Sequence, residues 1–196
     1  MKYVDKSIWG AHIPKLLGIY EKEVQYILER CIEMEFEHVI DIGGAEGYYA
    51  VGMLQRMPDA RLTVFEMLED GREMIEELAT RNQVLDRLVI AAECTPEKLQ
   101  SHISRDGVGL IICDVEGYEA ELIDPAKVAG LKSAHLLVEV HDHRVEGCTD
   151  ILRSRFSDSH EIVHIEQQPR SVADYPFDHP VKKIWPGAVE KYALNE

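Results

Sequence analysis

The chain has 196 residues, 45% hydrophobic and 29% charged, which fits one soluble domain with a full core and excludes disordered, collagen-like and membrane-spanning classes. With 36 acidic against 21 basic residues the formal net charge is −15, so the surface repels nucleic-acid phosphates and anionic lipid head groups, and neither is expected as a partner. Cys31, Cys94, Cys113 and Cys148 show no metal-type spacing, and Asp5, Lys6, His12 and Lys15 interrupt any leader-like apolar stretch, which together point to a reducing, cytoplasmic setting.

Along the chain, two hydrophobic periods alternate. Tyr20, Val24, Tyr26, Ile27, Cys31 and Ile32 predict an amphipathic helix over 19–34, within a helical cap formed by residues 1–36. His38–Ile42 is a β-branched run stopped by Gly43-Gly44, and 48–57 then reads as a helix closed by Pro58. Strands follow at 61–66, 87–91, 109–114, 135–140 and 161–165. Helices between them are expected over 69–83, with Met74, Ile75 and Leu78 on one face, from the Thr95-Pro96-Glu97 start, from Asp124-Pro125, and over 148–156. Such serial β-α units predict a doubly wound α/β core over 37–166, with a mostly parallel sheet and helices on both faces, inside a single domain of residues 1–196. The arm 167–196 breaks the pattern: Pro169, Pro176, Pro180 and Pro186 alternate with Tyr175, Phe177 and Trp185, which suits an edge cover, a lid or a homodimer contact.

In open α/β sheets ligands sit beyond the carboxyl ends of the strands, where the strand order reverses. The first strand leaves through Asp41-Ile42-Gly43-Gly44-Ala45-Glu46-Gly47. A dinucleotide fingerprint is absent, since counting from Gly43 its glycine positions fall on Ala45 and Tyr48, and no Gly-Lys-Ser/Thr follows to form a P-loop. The spacing matches acidic-x-G-x-small-x-G instead, with Asp41, Gly43, Ala45 and Gly47 in the key places and Gly44 beside them. The second strand ends in Glu66, followed by Met67, where a carboxylate can accept hydrogen bonds from both hydroxyls of a ribose. An acidic glycine turn plus Glu66 suits S-adenosylmethionine: its amine needs an anion, its carboxylate needs amides, and a negative cleft favours its sulfonium. The bland alternative is a tight turn beside a solvated strand end.

Three segments then resemble a known family. Residues 39–49 resemble motif I of class I S-adenosylmethionine-dependent methyltransferases. Ile112-Cys113-Asp114-Val115-Glu116-Gly117-Tyr118-Glu119 resembles the D-V-E-G-x-E segment of the FkbM-type members, and Leu137-Val138-Glu139-Val140-His141 resembles their V-E-x-H strand, in the same order. The resemblance implies a Rossmann-like sheet of seven strands with an antiparallel final pair. It also implies methylation of a hydroxyl on a small natural product or sugar. Glu46 departs from the family, which often carries a polar amide there, and Cys94 falls where the adenine edge rests in this fold.

Methyl transfer needs an aligned nucleophile and a base. Asp114 ends the fourth strand, while Glu139 and His141, two apart on the fifth, share a face if that strand persists. A carboxylate among leucines and valines calls for compensation. In one reading Asp114, Glu139 and His141 hold a divalent metal, leaning to a transition metal. In a second, Glu139 orients His141 as a metal-free base beside Asp114. In a third, Glu139 merely accepts backbone N–H bonds. Tyr20, Asp142, His160 and Arg170 are the candidates for contacting a small-molecule acceptor, each weighed against a structural or solvated role. Nitrogen methylation and a non-catalytic adenosine-ligand module stay open beside oxygen methylation, while the missing third glycine argues against a nicotinamide oxidoreductase.

Overall fold

Five β-branched or leucine-rich runs become the strands of one all-parallel sheet: β1 (His38–Ile42), β2 (Arg61–Phe65), β3 (Leu88–Ala91), β4 (Leu110–Cys113) and β5 (His135–Val138), in the order β3-β2-β1-β4-β5. They are seen in a computed structural model that describes residues 1–8, 11–106, 109–178, 180–189 and 191. The helices among these residues are α1 (His12–Leu17), α2 (Gln25–Glu33), α3 (Tyr48–Arg56), α4 (Glu69–Arg81), α5 (Pro96–Asp106), α6 (Glu119–Leu122), α7 (Cys148–Phe156), α8 (Pro180–Ile184) and α9 (Pro186–Val189). None of the described helices is long and apolar enough to cross a membrane.

Strand alternation divides the core in two. Val39, Leu62, Val64, Leu110 and Ile112 pack with Ala50, Leu54, Ile75 and Leu78 of α3 and α4. Ile40, Ile42, Phe65, Ile111 and Cys113 pack on the other face with Leu99 and Ile103 of α5 and Leu152 and Phe156 of α7. Helices therefore cover both faces, as a parallel sheet requires. Thr95 caps α5 as expected, its hydroxyl accepting from the Lys98 N–H at 3.3 Å. Glu69 and Asp70 in the first turn of α4 and Arg81 in its last match the helix dipole. All four cysteines are buried and free.

The structure departs from the sequence expectation in several places. The sheet has five strands among the described residues rather than seven, and no antiparallel final pair. The run 161–165 is rich in β-branched residues like a strand, but it lines the same cleft as Leu136 and Val138 without laddering to β5. Ile162 and Val163 stay exposed, and local propensity without a ladder partner does not make a strand. The expected helix 19–34 begins only at Gln25, because Gly18 ends α1 in the left-handed region at φ 68 and the chain turns through residues 20–24 before helix resumes. The helix expected from Asp124-Pro125 is a turn followed by a 3-10 segment, Ala129–Ser133. Asp124 turns its side chain onto the Ala126 N–H at 2.9 Å, an Asx turn that competes with helix. Part of the arm 167–196 lies outside the described residues.

Candidate active site

Sheet register lines up the chemistry. Ile42 is level with Phe65 on one side and Cys113 on the other, and Cys113 is level with Val138. Gly43, Glu66, Asp114 and Glu139 are the next residues along, one level above the last ladder rung. Their amides extend the ladder: Gly43 donates to Phe65 O at 2.9 Å, Glu66 to Ala91 O at 3.0 Å, Asp114 to Ile42 O and Glu139 to Cys113 O at 2.9 Å each. The strand order reverses between β1 and β4, so this crest spans the switch point where open α/β sheets bind ligands.

On the β1–β2 side the glycine turn is tightly built. Gly43, Ala45 and Gly47 all have positive φ, at 88, 47 and 93 degrees. A Cβ on Gly43 would lie 1.6 Å from the Asp114 carbonyl oxygen, so the neighbouring strand alone demands glycine there. Gly44 is held the same way, with 2.2 Å to a Val64 methyl. The Glu66 side chain faces the turn: Oε2 accepts the Ala45 N–H and Oε1 the Leu68 N–H, both at 2.8 Å. Each carboxylate oxygen keeps a free lone-pair direction for a further donor. Met67 beside it is 74% exposed at the rim. Asp41 is 2% exposed; it shares the Val39 face and accepts the Ala50 N–H from the first turn of α3, while its Oδ2 has no partner. Burial, reinforced by Asp114 and opposed by the Ala50 amide, raises its carboxyl to about 7. Cys94 is a core residue of the Leu99 face, and burial pushes its thiol up to about 12.

Glu46 turned out to be a hub. It is fully buried, and one of its oxygens accepts from Lys15 Nζ at 2.7 Å, Tyr3 Oη at 2.7 Å and Ser7 Oγ at 2.8 Å. Burial opposes its charge, but Lys15 and these hydrogen bonds hold its carboxyl below the ordinary range. Glu46 thus ties the N-terminal segment to the turn. Nothing in the local sequence pairs residue 46 with residues 3, 7 and 15.

The β4–β5 side is different. β5 ends at Val138, so Glu139 and His141 lie beyond the strand, and Glu139, expected to be buried, has a side chain 47% exposed. The two still converge with Asp114: one ligand atom from each lies within 4.8 Å of the others. His141 is buried, with Nε2 at 3.7 Å from Asp114 Oδ1, 3.7 Å from Glu116 Oε2 and 3.9 Å from Glu139 Oε1. None of these is a hydrogen bond, and Asp114 Oδ1 is buried without a partner. Burial raises Asp114 to about 6, partly offset by His141 and reinforced by Glu21. Burial, then Asp114 and Glu21, raise Glu139 to about 7. For His141 burial works against the charged form, but the Glu119 hydrogen bond and the surrounding carboxylates outweigh it and the imidazole is raised. The donor set suits a divalent ion: two oxygens, one nitrogen, an orphaned buried oxygen, and a histidine whose far nitrogen is held by a carboxylate.

A cleft of about 1470 Å³ opens in front of this cluster, lined in part by Tyr20, Glu21, Tyr49, Asp114, Glu139 and His141. A smaller hollow of about 430 Å³ lies at the opposite, amino end of the strands, by His38, Arg61 and Gly109, away from the crest. Tyr20 packs edge-on against Tyr48, and burial followed by Glu21 raises its phenol. Tyr49 donates to Glu21, a residue in the left-handed region at φ 44. Asp142 is exposed and accepts from the Thr149 amide at 3.0 Å, at the start of α7. His160 lines the cleft with both ring nitrogens engaged, on Ser159 Oγ and on Ala134 O at 2.9 Å each. Arg170 lines the far end.

No family model matches the chain, and no curated protein matches it in sequence. Solved structures do align. An O-methyltransferase from Bacillus cereus in complex with S-adenosylhomocysteine matches at 14% identity and a TM-score of 0.52, covering 68% of each chain. TomG, an O-methyltransferase of tomaymycin synthesis from Streptomyces achromogenes in complex with S-adenosylmethionine, matches at 14% identity and a TM-score of 0.50, covering 77% of this chain and 70% of that one. An O-methyltransferase family protein from Burkholderia thailandensis overlaps at 19% identity with a TM-score of 0.42, covering 67% of this chain; the chain spans 42% of that protein's length. The fold is the α/β Rossmann-like methyltransferase fold, built on a parallel sheet.

Proposed function

We propose that this chain is an S-adenosylmethionine-dependent methyltransferase acting on a hydroxyl oxygen of a small molecule, in a reducing compartment that suits its four buried free thiols. One observation carries the reading: a carboxylate aimed at a glycine turn at the switch point stands level with an acid–imidazole cluster facing a roomy cleft. The likeness to folds crystallised with S-adenosylmethionine or S-adenosylhomocysteine supports it. The finer placement in the FkbM-type group rests on the segment from Asp114 to Glu119 and on Glu139-Val140-His141.

In this reading the turn from Asp41 to Gly47 holds the methionine end of the donor, and Glu66 accepts from the ribose hydroxyls beside Met67. The donor supplies an electrophilic methyl group on a sulfonium. The acceptor enters between Tyr20 and the β4–β5 crest, within reach of Asp142, His160 and Arg170 along the cleft. His141 Nε2, steadied by Asp114, takes the hydroxyl proton as the oxygen attacks the methyl carbon in line and the carbon–sulfur bond breaks toward sulfur. In the alternative form of the site, Asp114, Glu139 and His141 would hold a divalent ion, which would acidify the acceptor hydroxyl in place of the imidazole base.

Calorimetric titration tests the first half, with S-adenosylhomocysteine expected to bind; absence of binding by either nucleoside overturns the reading. Tritiated methyl transfer to fractionated small metabolites tests the second, the label being expected in an ether linkage. Activity that survives exhaustive chelation, with no metal by elemental analysis, removes the ion.

A further inference from the structure

We propose that Glu119 is a positioning residue for His141: its buried carboxylate holds the imidazole proton on Nδ1, so that the Nε2 lone pair faces the cleft. The proposal deepens the methyltransferase reading and uses it only where activity is the readout. Glu119 opens α6, a single turn reached through a sharp bend at Glu116 and Gly117, with φ 54 and 109. A Cβ on Gly117 would come within 3.1 Å of Arg144, and the positive φ disfavours any side chain there. The bend turns Glu119 inward, where it is fully buried.

Only two described donors reach its carboxylate, and both meet Oε1: the Gly117 amide at 3.0 Å and His141 Nδ1 at 2.6 Å. Oε2 has no partner. An ionised carboxylate accepts only, so the short contact requires the proton on Nδ1 and leaves Nε2 as an acceptor in the neutral ring. This works against the surroundings of Nε2. Asp114, Glu116 and Glu139 stand 3.7 to 3.9 Å from it and would attract a proton there. Without Glu119 the neutral ring would carry its proton toward the cleft and could neither accept the acceptor's proton nor ligate a cation. Glu119 and His141 are far apart in sequence, and no periodicity links a four-residue helix to a loop beyond β5.

The test is a long-range proton–nitrogen correlation spectrum of the full chain with nitrogen-15 histidine, recorded well above neutral pH where the ring is uncharged. His141→Gln assigns the signal. The parent and Glu119→Gln are expected to show Nδ1–H, because the amide oxygen still accepts from Gly117 and the ring, while Glu119→Leu loses that preference. Methyl transfer should fall about 10–100-fold in kcat in Glu119→Leu, with S-adenosylhomocysteine affinity unchanged, and recover largely in Glu119→Gln. An Nε2–H or doubly protonated ring in the parent overturns the proposal, even if Glu119→Leu fails to fold. So does an unchanged tautomer in folded Glu119→Leu, or a loss of nucleoside affinity as large as the loss of rate. If the parent binds no S-adenosylhomocysteine, the methyltransferase reading fails while the tautomer result stands.

Discussion

On the β1–β2 side of the crest, Glu66 commits both oxygens to the backbone amides of Ala45 and Leu68, and Glu46 gathers Lys15, Tyr3 and Ser7. On the β4–β5 side, Asp114, Glu116 and Glu139 surround one imidazole nitrogen and none comes within hydrogen-bond distance. The first half is set before anything arrives. In the second, Arg144 already pairs with Glu116 at 2.8 Å, but Asp114 and Glu139 hold charge that a proton or a bound cation would neutralise, which is the condition a base or a metal site needs. Preorganisation and reactivity are thus kept a strand apart.

Perturbing the reactive half should have the largest effect. His141→Ala is expected to lower methyl transfer about 10²–10⁴-fold, read from initial rates, with nucleoside affinity unchanged. An equal loss of affinity would mean that the halves are not separable. In the preorganised half, Glu46→Ala leaves Lys15 as an uncompensated buried charge and should destabilise the fold by about 3–5 kcal/mol in urea unfolding. A smaller effect would show that the N-terminal segment is not held through this pair. Glu66→Ala should weaken S-adenosylhomocysteine binding by about 1.5–3 kcal/mol by calorimetry, and unchanged affinity would remove the ribose contact.

The last effect is on pH dependence, and it sharpens the contrast within one half. Asp41 lies at about 7 against an ordinary 3.8, so the folded chain keeps its proton where the unfolded chain has lost it. Stability from this group is therefore full below the unfolded value and declines as pH rises toward 7. Asp41→Asn should remove that decline, seen as the difference between the two urea midpoints measured at acid and neutral pH. Glu46, lowered rather than raised, runs the other way: its contribution is present above the unfolded value and lost as acid protonates it.

Much of the sheet could be read from apolar runs: Leu110-Ile111-Ile112 is the run of a strand buried on both faces, and Leu136-Leu137-Val138 reads alike although at the sheet edge it is only half-buried. The crest followed in part, since Glu66 and Asp114 end such runs, whereas Glu139 reads as part of a strand 135–140 that stops at Val138. What stayed hidden depends on distant partners. Glu46 takes its meaning from residues at the far N-terminus, and Glu119 from a histidine beyond the next strand. The run 161–165 has a strand's β-branched residues, but pairing is decided by what lies beside it, and here β5 does not take it up. Glu139 was expected inside because it follows leucines, yet the strand stops one residue short and leaves it at the cleft.

Gly43 joins the two contrasting halves at a single point. Its bare Cα leaves no room for a methyl group against the Asp114 carbonyl, so replacing it even with alanine would wedge β1 from β4 and disturb the glycine turn and the acid cluster together. Any shift of the Asp114 backbone when an acceptor docks would likewise be felt at the turn one strand away, a mechanical link between the two binding events that needs no moving domain.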